Sequence, residues 1–270
     1  MADILNLLGT VAITVFIYMS LLYTLSLIIK RTDIVDIGWG IGFILIALIS
    51  LLSQDLLTNR MVLVFFLVLI WGLRLTLHIY SRNRGKDEDY RYVQFKKDWG
   101  KQFFVKSYFR IFLLQGLLMT IISIPVLLIS NSTYPPLEIF AYVGVGLWLI
   151  GFVIETLSDI QLNYFIELKK AGKIKRKFAD IGLWKYSRHP NYFGEILQWW
   201  AIGLIAYPVS FGYLGLIGPL TITYLIVFVS GIPLLEKKFK KHPEWAEYVA
   251  RTNKLLPLPK LSKVLSSKIK

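Results

Sequence analysis

Residues 34–53 read IVDIGWGIGFILIALISLLS, an apolar run of 20 residues with one charged side chain, Asp36. A transmembrane helix needs about 20 predominantly apolar residues to cross the hydrocarbon core of a bilayer. The run therefore predicts a membrane-spanning helix. Gly38, Gly40 and Gly42 lie within it, and small residues of this kind let membrane helices pack closely.

Six further apolar runs of similar length lie along the chain of 270 residues. The seven predicted spans are residues 5–29, 34–53, 61–80, 110–130, 137–161, 192–208 and 212–235. The composition agrees, because 55% of the residues are hydrophobic and 18% are charged, whereas soluble domains are about a quarter charged. We expect an all-α integral membrane protein with a single domain over residues 1–270, which ends in a basic tail over 236–270.

The charges predict how the helices are oriented in the membrane. The net charge is +14, from 31 basic and 17 acidic residues. All but two of the basic residues fall in four segments, which are 30–31, 82–110, 169–188 and 237–270. Seven spans place these segments on one side, which the positive-inside rule assigns to the cytoplasm. We expect the N-terminus outside, the C-terminus in the cytoplasm and no nucleic-acid partner, since topology accounts for the basic excess.

Several classes of site are excluded by composition. Cysteine is absent, which removes disulfides, thiolate metal sites, iron–sulfur clusters and a cysteine nucleophile. The three histidines, His78, His189 and His242, are too scattered in sequence for a zinc motif. A signal peptide begins with a basic cluster, whereas the N-terminus here carries the acidic Asp3. We therefore expect neither a metal site nor a cleaved leader.

Polar residues recur near the predicted cytoplasmic ends of several spans. They include Asp36, His78, Asp159, Asn191 and Glu195. Ionisable groups in a membrane usually face a protein interior or a wet cavity. Their convergence at one depth predicts a polar cavity open to the cytoplasm. The alternative is a set of structural hydrogen bonds between helices.

The two long connectors, residues 81–109 and 162–191, mix basic residues with aromatic side chains, Asn, Asp and Glu. Arginine and lysine bind phosphates, and aromatic rings can stack on a base. This mixture predicts a site for a phosphate-bearing dinucleotide. The alternative is a surface for anionic lipids.

Five segments resemble a known family. They are DIVDIGWG at 33–40, NRGK at 83–86, EDYRY at 88–92, GLWKYSRHPNYFGE at 182–195 and PEWAEY at 243–248. Together they resemble the bacterial DUF1295 branch of the steroid 5-alpha-reductase family. Taken alone, the segment RHPNY at 188–192 is also similar to sterol C14-reductases and isoprenylcysteine carboxyl methyltransferases.

The resemblance implies a seven-helix membrane reductase whose NADPH enters from the cytoplasm. Hydride would pass to the β-carbon of an α,β-unsaturated carbonyl in a steroid-like or other lipid substrate, and a proton would complete the saturation. The predicted cofactor-binding set, from the matched positions and the adjoining connectors, is Asn83, Arg84, Lys86, Arg91, Asp159, Lys177, Tyr186, Arg188, His189, Asn191, Tyr192 and Glu195.

The catalytic prediction departs from the family pattern. The steroid enzymes hold the substrate carbonyl with a span-two Glu and a span-three Tyr. Here the nearest span-two acid is Asp36, and the span-three position falls at about Trp71 with no tyrosine. Because enone reduction needs a group that polarises the carbonyl, we expect Asp36 to act with His78 or Tyr80.

Two other classes of function stay open. One is an S-adenosylmethionine-dependent methyltransferase of the isoprenylcysteine type, and the other is a non-enzymatic transporter or lipid-binding protein. Segments 33–40 and 83–92 favour the reductase, because the methyltransferase has no use for them. We expect a monomer whose partners are the lipid bilayer and a lipophilic small-molecule substrate, in the bacterial inner membrane.

Overall fold

The computed structural model of the chain describes residues 2–54, 56–132 and 138–260. Residue 137 of the fifth predicted span and tail residues 261–270 lie outside this range. Within it the regular structure is helical, apart from one isolated parallel bridge between Ser187 and Asn253. The predicted all-helical class is therefore confirmed.

The α-helices follow one another along the described chain. They are α1 (Ala2–Ile29), α2 (Ile34–Leu52), α3 (Asn59–Asn83), α4 (Tyr90–Trp99), α5 (Phe103–Ser107), α6 (Leu114–Ile122), α7 (Ile124–Ser130), α8 (Ile139–Lys170), α9 (Pro190–Ala206), α10 (Ile217–Tyr224), α11 (Ile232–Phe239) and α12 (Trp245–Arg251). Short 3-10 turns occur at Gly100–Gln102, Gly182–Lys185 and Gly212–Leu216, and π-helical segments at Tyr108–Leu113 and Leu225–Val229.

Among the residues that the structure describes, six helical runs are long and apolar enough to cross a membrane. They are Ile4–Ile29, Ile34–Leu52, Asn59–Asn83, Tyr90–Ile122, Ile139–Lys170 and Gly212–Phe239. The sixth predicted span, residues 192–208, forms α9, whose 17 residues rise about 26 Å. This is shorter than a hydrocarbon core of about 30 Å. A multi-pass membrane protein is supported, while the seventh span and the orientation of the termini stay predictions.

Several helix boundaries differ from the predicted ones for local reasons. Helix α3 runs on to Asn83 and α8 to Lys170, and each is followed two residues later by a glycine with φ +70°. That conformation costs glycine little and other residues more. The fourth predicted span breaks at Ser123, because Pro125 in the first turn of α7 lacks the N–H that would continue the ladder.

The chain divides into two compact units. The N-terminal unit comprises residues 1–142 and 202–221, and the C-terminal unit comprises 143–201 and 222–270. A single domain over residues 1–270 stays a prediction. Each unit carries its own polar cluster.

In the N-terminal unit, α2 and α3 pack through glycines. A Cβ atom on Gly40 would lie 2.3 Å from the Gly72 carbonyl oxygen, and one on Gly72 would lie 2.7 Å from that of Gly40. The side chains of Phe43 and Trp71 meet edge-on beside this contact, with ring centroids 5.4 Å apart. The predicted close packing at the span-two glycines is confirmed.

In the C-terminal unit, α8 and α9 cross at a second glycine pair. A Cβ atom on Gly194 would lie 2.5 Å from the Gly151 carbonyl oxygen. The connector between α8 and α9 is fixed to α8, because the Trp184 indole Nε1 donates to the Ser158 carbonyl at 2.9 Å. These contacts determine which polar residues of α8 and α9 face one another.

An aromatic cluster fixes the end of the C-terminal unit. Phe178 stacks on Tyr248 with ring centroids 5.3 Å apart and also contacts Phe239 and Trp245. The Tyr248 hydroxyl donates to the Trp184 carbonyl at 3.1 Å. Helix α12 is thereby fastened to the connector that precedes α9.

Candidate active site

The N-terminal unit holds a partly buried carboxylate, Asp36, near the start of α2. Its Oδ2 accepts a hydrogen bond from Nη2 of Arg91 at 2.6 Å, and its Oδ1 accepts one from the Tyr92 hydroxyl at 2.7 Å. The Asp36 side chain is 16% exposed and Tyr92 is 3% exposed. We call Asp36, Arg91 and Tyr92 the Asp36 cluster.

Asp89 caps α4 and orients the Asp36 cluster. Its Oδ1 accepts hydrogen bonds from the Arg91 backbone N–H at 2.9 Å and from Nε of Arg91 at 3.0 Å. Partial burial alone would raise the pKa of Asp89, but the hydrogen bonds and charge of Arg91 lower it below the usual value. One arginine therefore joins two carboxylates, so its guanidinium plane is fixed.

The connector before α4 is tied to the turn between α1 and α2. Arg31 makes a two-point ion pair with Asp33 at 3.0 and 2.7 Å, and its Nη1 donates to the Lys86 carbonyl at 2.8 Å. The Glu88 carboxylate accepts the Thr32 backbone N–H at 2.6 Å. These contacts hold the entrance to α4 against the start of α2.

The structure pairs Asp36 with residues of α4. Tyr80 lies near the end of α3 with 49% of its surface exposed, and His78 is half-buried. The pairing of Asp36 with either of them stays a prediction. Tyr92 was missed as a partner of Asp36, although it lies in the EDYRY segment, because sequence spacing does not show which tyrosine turns inward.

The predicted cofactor residues of this unit lie at the end of α3 and just beyond it. Arg84 and Lys86 are exposed. The amide nitrogen Nδ2 of Asn83 is buried and has no hydrogen-bond partner among the residues that the structure describes. A buried amide without a partner costs about 1–3 kcal/mol, so Asn83 is suited to donate to a ligand oxygen.

In the C-terminal unit, polar side chains pair across α8 and α9. Nε2 of Gln198 donates to the Glu155 carboxylate at 2.7 Å, and Nδ2 of Asn191 donates to Oδ1 of Asp159 at 3.4 Å. Glu195, on the same helix as Asn191 and Gln198, is half-buried. Polar side chains of α8 and α9 therefore meet within this unit through hydrogen bonds, while the polar cavity open to the cytoplasm stays a prediction.

A second carboxylate of this unit, Glu236 in α11, holds the turn before α9. Its Oε1 accepts a hydrogen bond from Nε of Arg188 at 2.8 Å and lies 3.2 Å from Nε2 of His189. The side chains of Arg188 and His189 are 8% and 5% exposed. Nothing in the sequence singled out Glu236, the first residue of the predicted basic tail.

Backbone contacts fix the same turn from the C-terminal side. Nη1 of Arg188 donates to the Thr252 carbonyl at 2.9 Å, and the Ser187 hydroxyl donates to the Leu255 carbonyl at 2.7 Å. The Asn253 N–H donates to the Tyr186 carbonyl at 2.9 Å. Because Arg188 is buried and bonded at two nitrogens, its geometry suits positioning more than the predicted phosphate contact.

His189 is buried and stacks on Tyr192, with ring centroids 5.7 Å apart. Burial lowers the pKa of the His189 imidazole, and the hydrogen bond and charge of Glu236 offset only part of this effect. The ring is therefore suited to act as a neutral hydrogen-bonding group.

Lys177 and Tyr186 lie at the surface of the C-terminal unit. Lys177 is exposed and lines a cavity of about 390 Å³, and Tyr186 is 37% exposed. The cavity is further lined by Lys175, Arg176, Phe178, Asp180, Glu244, Glu247 and Arg251. In the described part of the chain no cluster of acidic and histidine side chains is arranged to bind a metal ion.

Comparison with known proteins places the sequence in a family. It matches DUF1295, a family described as proteins of unknown function, over residues 22–252. An uncharacterized protein of Schizosaccharomyces pombe is 28% identical over 90% of this chain and 77% of its own length. No solved structure matches the chain.

Shorter matches link the chain to two kinds of reductase. The 3-oxo-5-alpha-steroid 4-dehydrogenase 1 of Homo sapiens is 33% identical over 38% of this chain and 34% of its own length. The very-long-chain enoyl-CoA reductase of Dictyostelium discoideum is 34% identical over 32% of this chain and 27% of its own length. Both agree with the resemblance to the steroid 5-alpha-reductase family. The long match over residues 22–252 shows that the chain belongs to the DUF1295 family.

Proposed function

We propose that the chain is a membrane-embedded, NADPH-dependent reductase. Its substrate is a steroid-like or other lipophilic molecule with an α,β-unsaturated carbonyl, and the reaction saturates the C=C bond. The observation that carries this proposal is the Asp36 cluster. It sets a carboxylate, a guanidinium and a phenol at the start of one apolar helix, in a chain similar to a 3-oxo-5-alpha-steroid 4-dehydrogenase and an enoyl-CoA reductase.

NADPH supplies the hydride when it is bound, and the chain offers groups that fit such a cofactor. In the N-terminal unit, the unpartnered Nδ2 of Asn83 can donate to an oxygen of the cofactor, and the exposed Arg84 and Lys86 offer charge to its phosphates. In the C-terminal unit, Lys177 is one of four basic side chains that line a cavity together with three acidic ones.

The Asp36 cluster fits the carbonyl end of the reaction. Negative charge develops on the substrate oxygen as the C=C bond is reduced, and preorganised donors stabilise such charge most strongly in a site shielded from water. We assign this role to the Arg91 guanidinium, which Asp36 and Asp89 hold in place, and to the Tyr92 hydroxyl, whose single hydrogen turns from Asp36 to the substrate oxygen. The pairing of Asp36 with His78 or Tyr80 to polarise the carbonyl stays a prediction.

We propose the cytoplasmic membrane of a bacterium as the location, with the cofactor entering from the cytoplasm. The positions of the basic segments support this orientation, because 82–110 and 169–188 contain most of the predicted cofactor residues. Fusions of a reporter enzyme to the N- and C-termini test it. An N-terminus found in the cytoplasm would contradict the proposed orientation.

Thermal unfolding of the detergent-purified protein tests the cofactor class. A ligand present at about 100 times its Kd stabilises the folded state by about 2.7 kcal/mol. We expect NADPH to raise the Tm, and Asn83→Ala to weaken that rise. A matched Gln102→Ala substitution at an exposed position should leave the rise unchanged. A rise with S-adenosylmethionine and none with NADPH or NADH would favour the methyltransferase instead.

A further inference from the structure

Glu236 forms hydrogen bonds with two consecutive residues through a single oxygen atom. Its Oε1 lies 2.8 Å from Nε of Arg188 and 3.2 Å from Nε2 of His189. The exposed fractions of the Glu236, Arg188 and His189 side chains are 14%, 8% and 5%. All three belong to the C-terminal unit, so the contact is internal to it.

The charges around Glu236 decide the protonation of the histidine. Arg188 always carries its positive charge and neutralises the single negative charge of Glu236. A proton added to His189 would leave a second positive charge in a buried site, and Lys254 already adds to the positive potential there. The neutral ring is therefore favoured, and its Nε2 carries the hydrogen that Glu236 accepts.

The same contact determines what the other ring nitrogen can do. In a neutral imidazole one nitrogen donates and the other accepts. With Nε2 as the donor to Glu236, Nδ1 is an acceptor. The ring plane is set by stacking on Tyr192, with 16° between the two planes.

We propose that Glu236 is a positioning residue that keeps His189 in its neutral Nε2–H form, so that Nδ1 accepts a hydrogen bond from the cofactor. The donor is an amide N–H or a sugar hydroxyl of the dinucleotide, because a phosphate oxygen has no hydrogen to give. This inference rests on the proposed function for the identity of the ligand. The tautomer of His189 follows from the local geometry alone.

The backbone before Glu236 explains how one carboxylate reaches both partners. The π-helical segment Leu225–Val229 ends in a turn, and α11 begins at Ile232. A Cβ atom on Gly231 would lie 2.6 Å from the Ile226 carbonyl oxygen, so the turn is tight. Arg188 is further fixed over the Trp245 ring, with Cζ 5.8 Å from its centroid.

Histidine-selective ¹⁵N NMR of the full chain in detergent micelles tests the tautomer. The sequence has three histidines, so comparison with His189→Gln assigns the His189 signals. At pH 7.5 we expect a protonated Nε2 and an unprotonated Nδ1. An Nδ1–H tautomer or an imidazolium at this pH would overturn the proposal, whatever reaction the protein performs.

Variants of Glu236 then test whether it sets this state. Glu236→Ala should convert the His189 signals to a mixture of both tautomers, whereas Glu236→Gln, which keeps an acceptor oxygen, should retain mainly the Nε2–H form. Glu167→Gln removes an exposed carboxylate of the same unit and should change nothing. An unchanged His189 spectrum in both Glu236 variants would overturn the positioning role.

Addition of NADPH to the labelled protein tests the ligand. We expect the Nδ1 signal to shift in the parent protein. We expect the apparent Kd to rise about tenfold in Glu236→Ala, which is the low end of the loss when a group that orients a metal-binding histidine is removed. Thermal stabilisation by NADPH without a shift at Nδ1 would overturn the inference but leave the proposed function intact. Neither stabilisation nor a shift would contradict the proposed function itself.

Discussion

The Tyr92 hydroxyl lies 2.7 Å from Oδ1 of Asp36, although 56 positions of sequence separate the two residues. The contact joins α4 to the start of α2, and both groups are largely buried. Hydrogen bonds to charged groups contribute about 1.5–3 kcal/mol each. We therefore expect the hydrogen bond between Tyr92 and Asp36 to contribute measurably to the free energy of unfolding, besides its proposed role in the reaction.

Replacing Tyr92 by Phe removes the hydroxyl and keeps the ring. We expect Tyr92→Phe to lower the Tm in detergent, with a loss of about 1.5–3 kcal/mol in the free energy of unfolding, and to lower reductase turnover further than stability alone explains. Tyr213→Phe is the control, because Tyr213 is 60% exposed. Equal Tm values and turnover for the two variants would show that the Tyr92 hydroxyl contributes to neither.

Arg91 joins Asp36 and Asp89, so substitutions along this chain of contacts should not be additive. Arg91→Lys keeps the charge but loses the fork that reaches both carboxylates. Asp36→Asn in the Arg91→Lys background should then cost less than in the parent, with a coupling energy of about 0.5–3 kcal/mol. Chemical denaturation of the four proteins of this cycle measures it, and strict additivity would argue against a shared network.

The crossing of α8 and α9 depends on the absence of side chains. A Cβ atom on Gly194 would lie 2.5 Å from the Gly151 carbonyl oxygen, and backbone on both sides leaves little room to move. Gly194→Ala should therefore destabilise the protein strongly and lower its yield. Gly146→Ala, also in α8, meets no atom within 4 Å and should be neutral in the same thermal unfolding assay. Similar Tm values for both would contradict the close crossing.

The lowered pKa of His189 predicts a pH dependence of stability. Burial disfavours the charged ring, while Glu236 opposes this effect and Arg188 and Lys254 add to it; Tyr192 stacks on the ring. Because the unfolded chain binds the proton more readily, the neutral ring contributes stability above about pH 6.5, the ordinary histidine pKa. That contribution falls as the pH drops toward the lower folded pKa.

Tm values measured between pH 7.5 and 5 check this dependence. The parent protein should lose up to about 1.4 kcal/mol of unfolding free energy per pH unit through this one proton. His189→Gln should lack that component, so the difference between the two proteins should shrink toward acidic pH. A difference that grows as the pH falls would mean that the folded His189 holds its proton more tightly than the unfolded chain does.

Patterns in the sequence predicted the helices and their close contacts better than the partners of the charged groups. The run at 34–53 predicted α2, and its glycines predicted packing against a neighbouring helix, because span length and small-residue contacts are local properties. The break at Ser123 was not predicted. Hydropathy averaged over a window of residues does not show that Pro125, two residues after Ser123, interrupts the helix.

In the candidate site, too, local features were predicted better than the partners of charged groups. Asp36 and Arg91 were singled out by residue type and segment, yet their meeting with Tyr92 depends on how the connector folds back on α2. Glu236 lies 47 positions after His189, and no spacing rule joins them. Long-range pairing of charges is decided by tertiary packing, which a single sequence does not display.

Transfer of deuterium from the cofactor to the substrate tests the central claim most directly. Purified protein in lipid nanodiscs would be incubated with NADPH deuterated at the nicotinamide C4 position and, separately, with a 3-oxo-4-ene steroid or a trans-2-enoyl-CoA. The parent protein should yield a saturated product one mass unit heavier than the unlabelled product, with loss of NADPH absorbance, and Asp36→Asn should yield far less. If the folded protein binds NADPH but consumes neither substrate, the proposed reduction of these two carbonyl classes is contradicted. A product of unchanged mass would contradict direct hydride transfer.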